Sequence, residues 1–242
     1  MTRVETAVES DAGLVRTNNE DSTLRVALDG DEGRQWLLAV ADGVGGVDGG
    51  EIASTAVVSE LAAYAKHLRD AGERDAETLL REGLAAAREE FTAYAAAEGF
   101  GGAGTTLVAA VVDVDSDSAP ATATVLNVGD SRAYVYRSGT LRQVTTDHTV
   151  GRERESGGRY GHVLSRWVGV EARADPDVFV EPVGDTLLLC SDGLTNELSD
   201  EEIREVLERD GPITDLAAVL VERALAHGGR DNVSVVLATV RE

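Results

Sequence analysis

Acidic residues beside a glycine or a polar partner recur along the chain: Glu20-Asp21, Asp42-Gly43, Asp130 within Val128-Gly129-Asp130-Ser131, Asp192-Gly193 and Asp231-Asn232. One Asp-Gly pair is an ordinary turn dipeptide. The set carries more, because Asp42, Asp192 and Asp231 each border a strongly apolar run, and strands that meet in a core bring such residues to one rim. Carboxylates about 4 Å apart repel by about 4 kcal/mol per pair at an effective dielectric of 20. Such a cluster needs protons or cations. With four histidines and one cysteine in the chain, oxygen ligation points to hard ions, Mg²⁺ or Mn²⁺, rather than zinc. Paired hard cations suit hydrolysis or transfer at phosphorus, where they activate water and hold the entering and leaving oxygens.

The glycine-rich stretch from Asp42 to Gly50 could instead cradle a nucleotide. It lacks the closing Gly-Lys-Ser/Thr of a P-loop, and Asp48 occupies the sixth place of a G-x-G-x-x-G frame begun at Gly43. The glycines fit close approach of backbone carbonyls to a metal beside Asp42.

The elements that must position these residues follow from hydrophobic period. Trp36 to Ala41 reads as a strand meeting a turn at Asp42-Gly43. Ile52 to Leu68 and Leu80 to Tyr94 have helical spacing, and the charged 70–75 segment joins them as an antiparallel pair. Strand-like runs follow at Thr105 to Val112, Thr122 to Val128, Arg132 to Tyr136 and Thr140 to Val144, with Ser138-Gly139 as a hairpin turn. Residues 147–162 are polar and glycine-rich and read as a projecting flap. Strands resume at Val163 to Val168, Val178 to Val180 and Thr186 to Cys190. Two helices come next, one opened by a Ser199/Glu202 capping box and one by Pro212 to Asp215 that stops near Gly228-Gly229. Ser234 to Val240 closes the chain. Hairpins with helix pairs inserted at two points imply an α+β fold, a four-layer α-β-β-α sandwich of two antiparallel sheets in one domain over 1–242.

With 22 basic and 44 acidic residues the net charge is −22, and no Lys/Arg run offers a local stripe for a phosphodiester backbone, which excludes nucleic acid as a partner. No window approaches the roughly 18 apolar residues of a membrane span, and the start lacks a signal-peptide pattern. A soluble, cytoplasmic monomer is expected. Lys66 is the only lysine; with the carboxylate excess this reads as a halophilic, salt-adapted surface.

Taken in order, Ser10-Asp11-Ala12-Gly13-Leu14-Val15-Arg16-Thr17-Asn18-Asn19-Glu20-Asp21, Ala41-Asp42-Gly43-Val44-Gly45-Gly46, Gly104-Thr105-Thr106-Leu107, Val128-Gly129-Asp130-Ser131-Arg132, Thr146-Asp147-His148, Cys190-Ser191-Asp192-Gly193-Leu194 and Asp231-Asn232 resemble the motif series of bacterial and archaeal metal-dependent type 2C protein phosphatases. The resemblance implies the same sandwich and a serine/threonine protein phosphatase, a signalling hydrolase acting on phosphoproteins made by a Ser/Thr kinase. It implies two Mn²⁺ or Mg²⁺ ions, with Asp42 bridging them and the Gly43 carbonyl on the second. Asp192 and Asp231 would hold the first ion, and Glu20 and Asp21 would act on metal-bound water or directly. Asp130 with Asp192 matches a third, weaker site. Arg16 would grip the phosphate with its forked guanidinium.

The implied chemistry is in-line attack by a hydroxide bridging the two metals. No phosphoenzyme is expected, since the chain has no Cys-x5-Arg loop. Two departures stand out. Eukaryotic relatives carry a histidine two residues after the bridging Asp, where this chain has Val44, which leaves His162 or metal-bound water to protonate the leaving group. The flap is shorter than in bacterial relatives and carries Arg152, Arg154 and Arg159, a basic cover suited to acidic phosphopeptides. Asp147-His148 reads as a hydrogen-bonded corner, His67 and His227 as structural, and Cys190 as buried and inert. The alternative is a catalytically silent pseudophosphatase or regulator, which predicts a missing metal carboxylate.

Overall fold

The computed structural model describes residues 3–28, 34–45, 49–72, 75–99, 101–114, 120–153, 162–170 and 172–241. Strands are β1 (Arg3–Asp11), β2 (Asp21–Ala27), β3 (Gln35–Val44), β4 (Gly104–Thr105), β5 (Leu107–Asp113), β6 (Thr122–Val128), β7 (Arg132–Arg137), β8 (Thr140–Gln143), β9 (Val168–Gly169), β10 (Asp177–Pro182), β11 (Thr186–Cys190) and β12 (Val233–Arg241). Helices are α1 (Gly49–Asp70), α2 (Ala76–Glu98), α3 (Val150–Glu153), α4 (Asp192–Thr195), α5 (Asp200–Leu207) and α6 (Ile213–His227). One sheet runs β1-β12-β11-β7-β8; the other runs β10-β6-β5-β3-β4-β9, with β2 also paired to β3. Neighbouring strands are antiparallel in both.

Strand alternation sorts side chains into three buried layers. In β3, Leu37, Ala39 and Ala41 pack with α1 and α2, whereas Leu38 and Val40 face the opposite sheet. β11 does the same in reverse, sending Leu188 and Cys190 toward α5 and α6 and Leu187 and Leu189 into the seam between sheets. Leu61 of α1 seats on Gly83 of α2, and Ile52 shares a groove with Phe91 and Tyr94, so the two helices run antiparallel. The result is the expected α-β-β-α sandwich.

The structure departs from the sequence reading in several places. β1 and β2 occupy a region to which periodicity assigned nothing. β3 continues through Asp42-Gly43 to Val44, so no turn lies there; Gly43 pairs with Thr105 of β4. The expected strand over 163–168 reduces to a single bridge, Thr149 to Leu164, and to β9. Its residues are spent as anchors instead. Arg166 turns inward to Asp177 (3.1 Å) and to the Asp175 carbonyl (3.3 Å), and the Trp167 ring lies against Gly104 and Gly169. The flap is not wholly irregular, since it begins with the short helix α3. Arg154 and Arg159 lie outside the described residues.

Local signals held where their geometry is specific. Ser138 (φ 48°) and Gly139 (φ 81°) both take the positive φ that a two-residue hairpin requires. Helix α5 has the reciprocal box, with Ser199 N donating to Glu202 Oε2 at 2.9 Å and Glu202 N donating to Ser199 Oγ at 3.4 Å. Ser199→Ala is expected to cost about 1 kcal/mol in a chemical denaturation series. An unchanged midpoint would mean that Ile203, Val206 and Leu207 alone fix the start of α5.

Candidate metal centre

Asp42 inherits its place from the alternation of β3. Leu38 and Val40 face the inter-sheet seam, so Asp42 comes next in that row, and Asp21 of β2 is its direct register partner. The backbone of Asp42 is fixed on both sides. Its N–H donates to Thr106 Oγ1 (3.0 Å), and its carbonyl accepts from Thr106 N (2.9 Å) and Thr105 Oγ1 (2.9 Å). Thr106 is fully buried, and its hydroxyl also lies 2.7 Å from Ser131 Oγ, which ties Asp42 to the turn bearing Asp130. Gly43 is required by contact rather than by a turn: a Cβ there would stand 2.6 Å from the Glu20 carbonyl oxygen and collide with that of Gly50.

The remaining acids are delivered by three chain crossings. The Glu20 carbonyl accepts from Gly43 N (3.1 Å) and Ser54 Oγ (2.6 Å), and its N–H donates to Asn232 Oδ1 (2.8 Å). Asn232 also donates from Nδ2 to the carbonyls of Ala12 (2.9 Å) and Asn18 (2.8 Å), bracing the β1–β2 loop against Asp231. Gly193 presses on the Asn232 carbonyl so closely that no side chain fits, which sets Asp192 beside Asp231. Asn196 Nδ2 donates to Asp192 Oδ2 at 3.0 Å.

These crossings frame a cleft of about 280 Å³ lined by Arg16, Glu20, Asp42, Gly43, Asp130, Asp192 and Asp231, with Val44, His162 and Asn232 also on its walls. Seven of the eight candidate residues therefore share one cavity. Asp21, the eighth, is not on its surface; it is buried behind Asp42 and accepts from Ser191 Oγ at 2.7 Å. Arg16 is half-exposed and engaged with a neighbour, its Nη2 donating to Asp231 Oδ2 at 2.7 Å. Among the described residues, the acids ring the cleft without three of them meeting at one point.

The cluster is only partly compensated, by Arg16 on Asp231. Burial first, then the charges of Asp21, Asp192, Asp130 and Asp231, push the Asp42 carboxyl well above its ordinary range. Burial raises Asp21 to about 7 against hydrogen bonds from Ser191 and Ser234, and burial with the Asp192 charge raises Asp130 to about 7. Asp192 is raised by burial and by Asp231, while hydrogen bonds from Asn196 and Asp42 oppose the shift.

The protein phosphatase 2C model matches residues 15–227. The chain belongs to the protein phosphatase 2C family. It is 35% identical to the serine/threonine phosphatase stp of Listeria monocytogenes over 94% of this chain and 92% of the relative. It is 37% identical to the serine/threonine protein phosphatase PstP of Mycobacterium tuberculosis over 97% of this chain and 44% of that longer protein. The PstP catalytic domain solved with two manganese ions superposes with a TM-score of 0.82 at 33% identity, each chain fully covered.

The residues of this phosphatase fit hard divalent cations. The donor set is entirely carboxylate and carbonyl oxygen, and Asp21 Oδ1 is buried with no hydrogen-bond partner, an acceptor left over for a cation or its water. Asp42, Asp192 and Asp231 line the cleft together with Gly43 and Asp130.

Sequence reasoning missed the braces. Thr106, Ser191, Ser234 and Asn232 hold the acids but carry no pattern of their own beyond their place in the motifs. His148 is another. It is buried; its Nδ1 accepts from Gly129 N (3.1 Å) and its own N–H donates to the Gly129 carbonyl (2.9 Å). Accepting at Nδ1 puts the ring proton on Nε2, 3.1 Å from Asp177 Oδ2. His148 therefore clamps the turn of Asp130 from both sides, and Asp147 grips Arg132 through two bonds of 3.0 and 2.8 Å. The Asp147-His148 corner is structural, as its sequence suggested.

The raised carboxyls set the pH dependence of the metal-free protein. Folded pKa values above the unfolded value of about 3.9 contribute stability that is fully present below that value and is lost as pH rises through about 7. In chelator, the thermal midpoint is expected to fall from pH 5 to pH 8, and Asp130→Asn should flatten the fall. Mn²⁺ should abolish it, since cations compete with protons for the same oxygens. A metal-free midpoint that holds or rises across that range would contradict the electrostatics described.

Proposed function

We propose that the chain hydrolyses phosphoserine and phosphothreonine in proteins by direct attack of water at phosphorus, without a phosphoenzyme. The observation that carries this reading is the convergence of one arginine, Arg16, with Asp42, Asp192 and Asp231 in a single oxygen-lined cleft. Its relatives stp and PstP bear serine/threonine phosphatase names, and the manganese pair of PstP supports Mn²⁺ here, with Mg²⁺ as the chemically equivalent alternative.

Asp42, Asp192, Asp231 and the Gly43 carbonyl would hold divalent cations, which would supply Lewis acidity toward the phosphoryl group and toward water. Asp42 would be shared between them, and its two-sided backbone fixation by Thr105 and Thr106 holds it without rearrangement. Glu20 and buried Asp21 act behind it on water. Asp130 with Asp192 makes a weaker third position. Arg16 neutralises the equatorial phosphoryl oxygens with paired N–H groups. Cys190 takes no part: burial pushes its thiol up to about 12. His162 lines the same cleft as Val44 and is the imidazole available to protonate the departing serine oxygen. Arg152, exposed on α3, lines an adjoining cavity with Arg132 and His162 and favours acidic phosphopeptides.

The physiological setting follows the same reading: substrates are products of a Ser/Thr kinase, and the protein works as a cytoplasmic monomer with a salt-tolerant acidic surface. No helix among the described residues is long and apolar enough to cross a membrane.

Asp42→Asn is expected to lower kcat more than about 10³-fold, some 4 kcal/mol of barrier, while cooperative unfolding persists. Retained turnover of an aryl phosphate with Mn²⁺ by that variant would remove Asp42 from the mechanism; absence of turnover in the unmodified protein would favour the pseudophosphatase. His162→Ala should slow a phosphoserine peptide by about 10²-fold and leave an aryl phosphate, whose phenolate departs unaided, nearly unchanged. Equal losses on both substrates would assign the proton elsewhere.

A further inference from the structure

Leu14 and Val15 are consecutive, immediately precede Arg16, and are 68% and 66% exposed. Isolated exposed aliphatics are common and need no explanation. These two are held in place. Leu14 N donates to the Gly229 carbonyl at 2.7 Å, and Gly13 N donates to Asp11 Oδ1 at 2.7 Å. Gly13, at φ +80°, lies so close to the carbonyls of Gly229 and Asp231 that no side chain fits. The turn is therefore clamped to the segment carrying Asp231, with two exposed apolar side chains directly before Arg16, which lines the cleft. On a chain of net charge −22, that is a rigid apolar surface where the bulk of the exterior is built to hold water.

We propose that Leu14 and Val15 form an apolar shelf that receives the residues flanking the phosphorylated side chain of a protein substrate, so that aliphatic or aromatic flanks are preferred. The proposal rests on the assignment of Arg16 to the phosphate. Geometry connects the two: Val15 and Leu14 lie one and two residues before Arg16, and an extended peptide advances only about 3.3 Å per residue, so a phosphoserine held by the Arg16 guanidinium brings residues a few steps along its chain within reach of the shelf. Preorganisation matters because a shelf already ordered loses little freedom when it is covered.

The test uses two phosphoserine peptides that differ only in carrying Leu or Ser on both sides of the phosphoserine, assayed with the Mn²⁺-loaded enzyme. The Leu-flanked peptide should show about five- to tenfold higher kcat/KM, chiefly through KM. The double variant Leu14→Ser/Val15→Ser should bring the ratio to about one. Equal efficiency in the unmodified enzyme, or a preference that survives the double variant, overturns the shelf. Concentration-dependent self-association in sedimentation that the double variant abolishes would also overturn it, by making the patch a contact between copies. Arg16→Ala tests the underlying assignment separately: it should raise KM for both peptides and for an aryl phosphate alike, and no change on any of the three would sink the phosphate role of Arg16 whatever the flank ratio shows.

Discussion

A strand that buries both of its faces leaves the side chains near its end only the seam between layers or the solvent beyond it, and β3 places an aspartate in its inward row there, two residues before Val44. The alternation that puts Leu38 and Val40 in the inter-sheet core also puts Asp42 at the mouth of that core. Register with β2 sets Asp21 directly across from it. Because β11 and β12 belong to the facing sheet, Asp192 and Asp231 arrive from the other side of the same seam. The site is thus where two sheets stop packing against each other, and like charges gather there because the hydrophobic layers give them no alternative position.

Holding such charges together takes support that charge itself cannot give. The support here is neutral and short-range. Thr106 joins the Asp42 backbone to the Asp130 turn, Asn232 bridges Ala12, Asn18 and Glu20, and Ser191 links buried Asp21 to the backbone N–H of Ser234 at 3.0 Å. Hydroxyl and amide groups can be fully satisfied in a dry interior at modest cost, whereas a buried cation per carboxylate would have had to be desolvated as well. The acids consequently keep their repulsion for whatever cation enters, and the scaffold bears the strain.

Much of this was legible in the sequence because the signals were local. The capping box at Ser199, the Ser138-Gly139 turn and the run Thr122 to Val128 each depend on a few neighbouring residues, and each appears where expected. Acidic residues at the ends of apolar runs announced the centre for the same reason. The failures share a cause too. β1 alternates Val4 and Val8 with Glu5 and Glu9, a pattern made faint by Thr6 and Ala7, and its strand identity comes from pairing with β12 more than two hundred residues away. Val163 to Val168 has strand composition, but Arg166 and Trp167 are claimed by distant partners. The role of Asn232 and the partners of His148 exist only through contacts across the fold, so no window of sequence could name them. The burial of Asp21 is likewise a matter of layer, not of motif.

The ion pair between Arg16 and Asp231 has a thermodynamic corollary on the proposed assignments. Asp231 Oδ2 accepts from the guanidinium at 2.7 Å, and the same oxygen cannot be given in full to a cation and to an arginine. Occupation of Asp231 loosens that pair and frees Nη2, so the phosphate grip strengthens as the ion site fills. Linkage makes that dependence mutual: whatever factor the cation adds to phosphate affinity, phosphate must add to cation affinity. Inorganic phosphate, the product, would then act as a retainer of the metal, and a protein washed free of phosphate would surrender its ions to a chelator more readily than one still holding it.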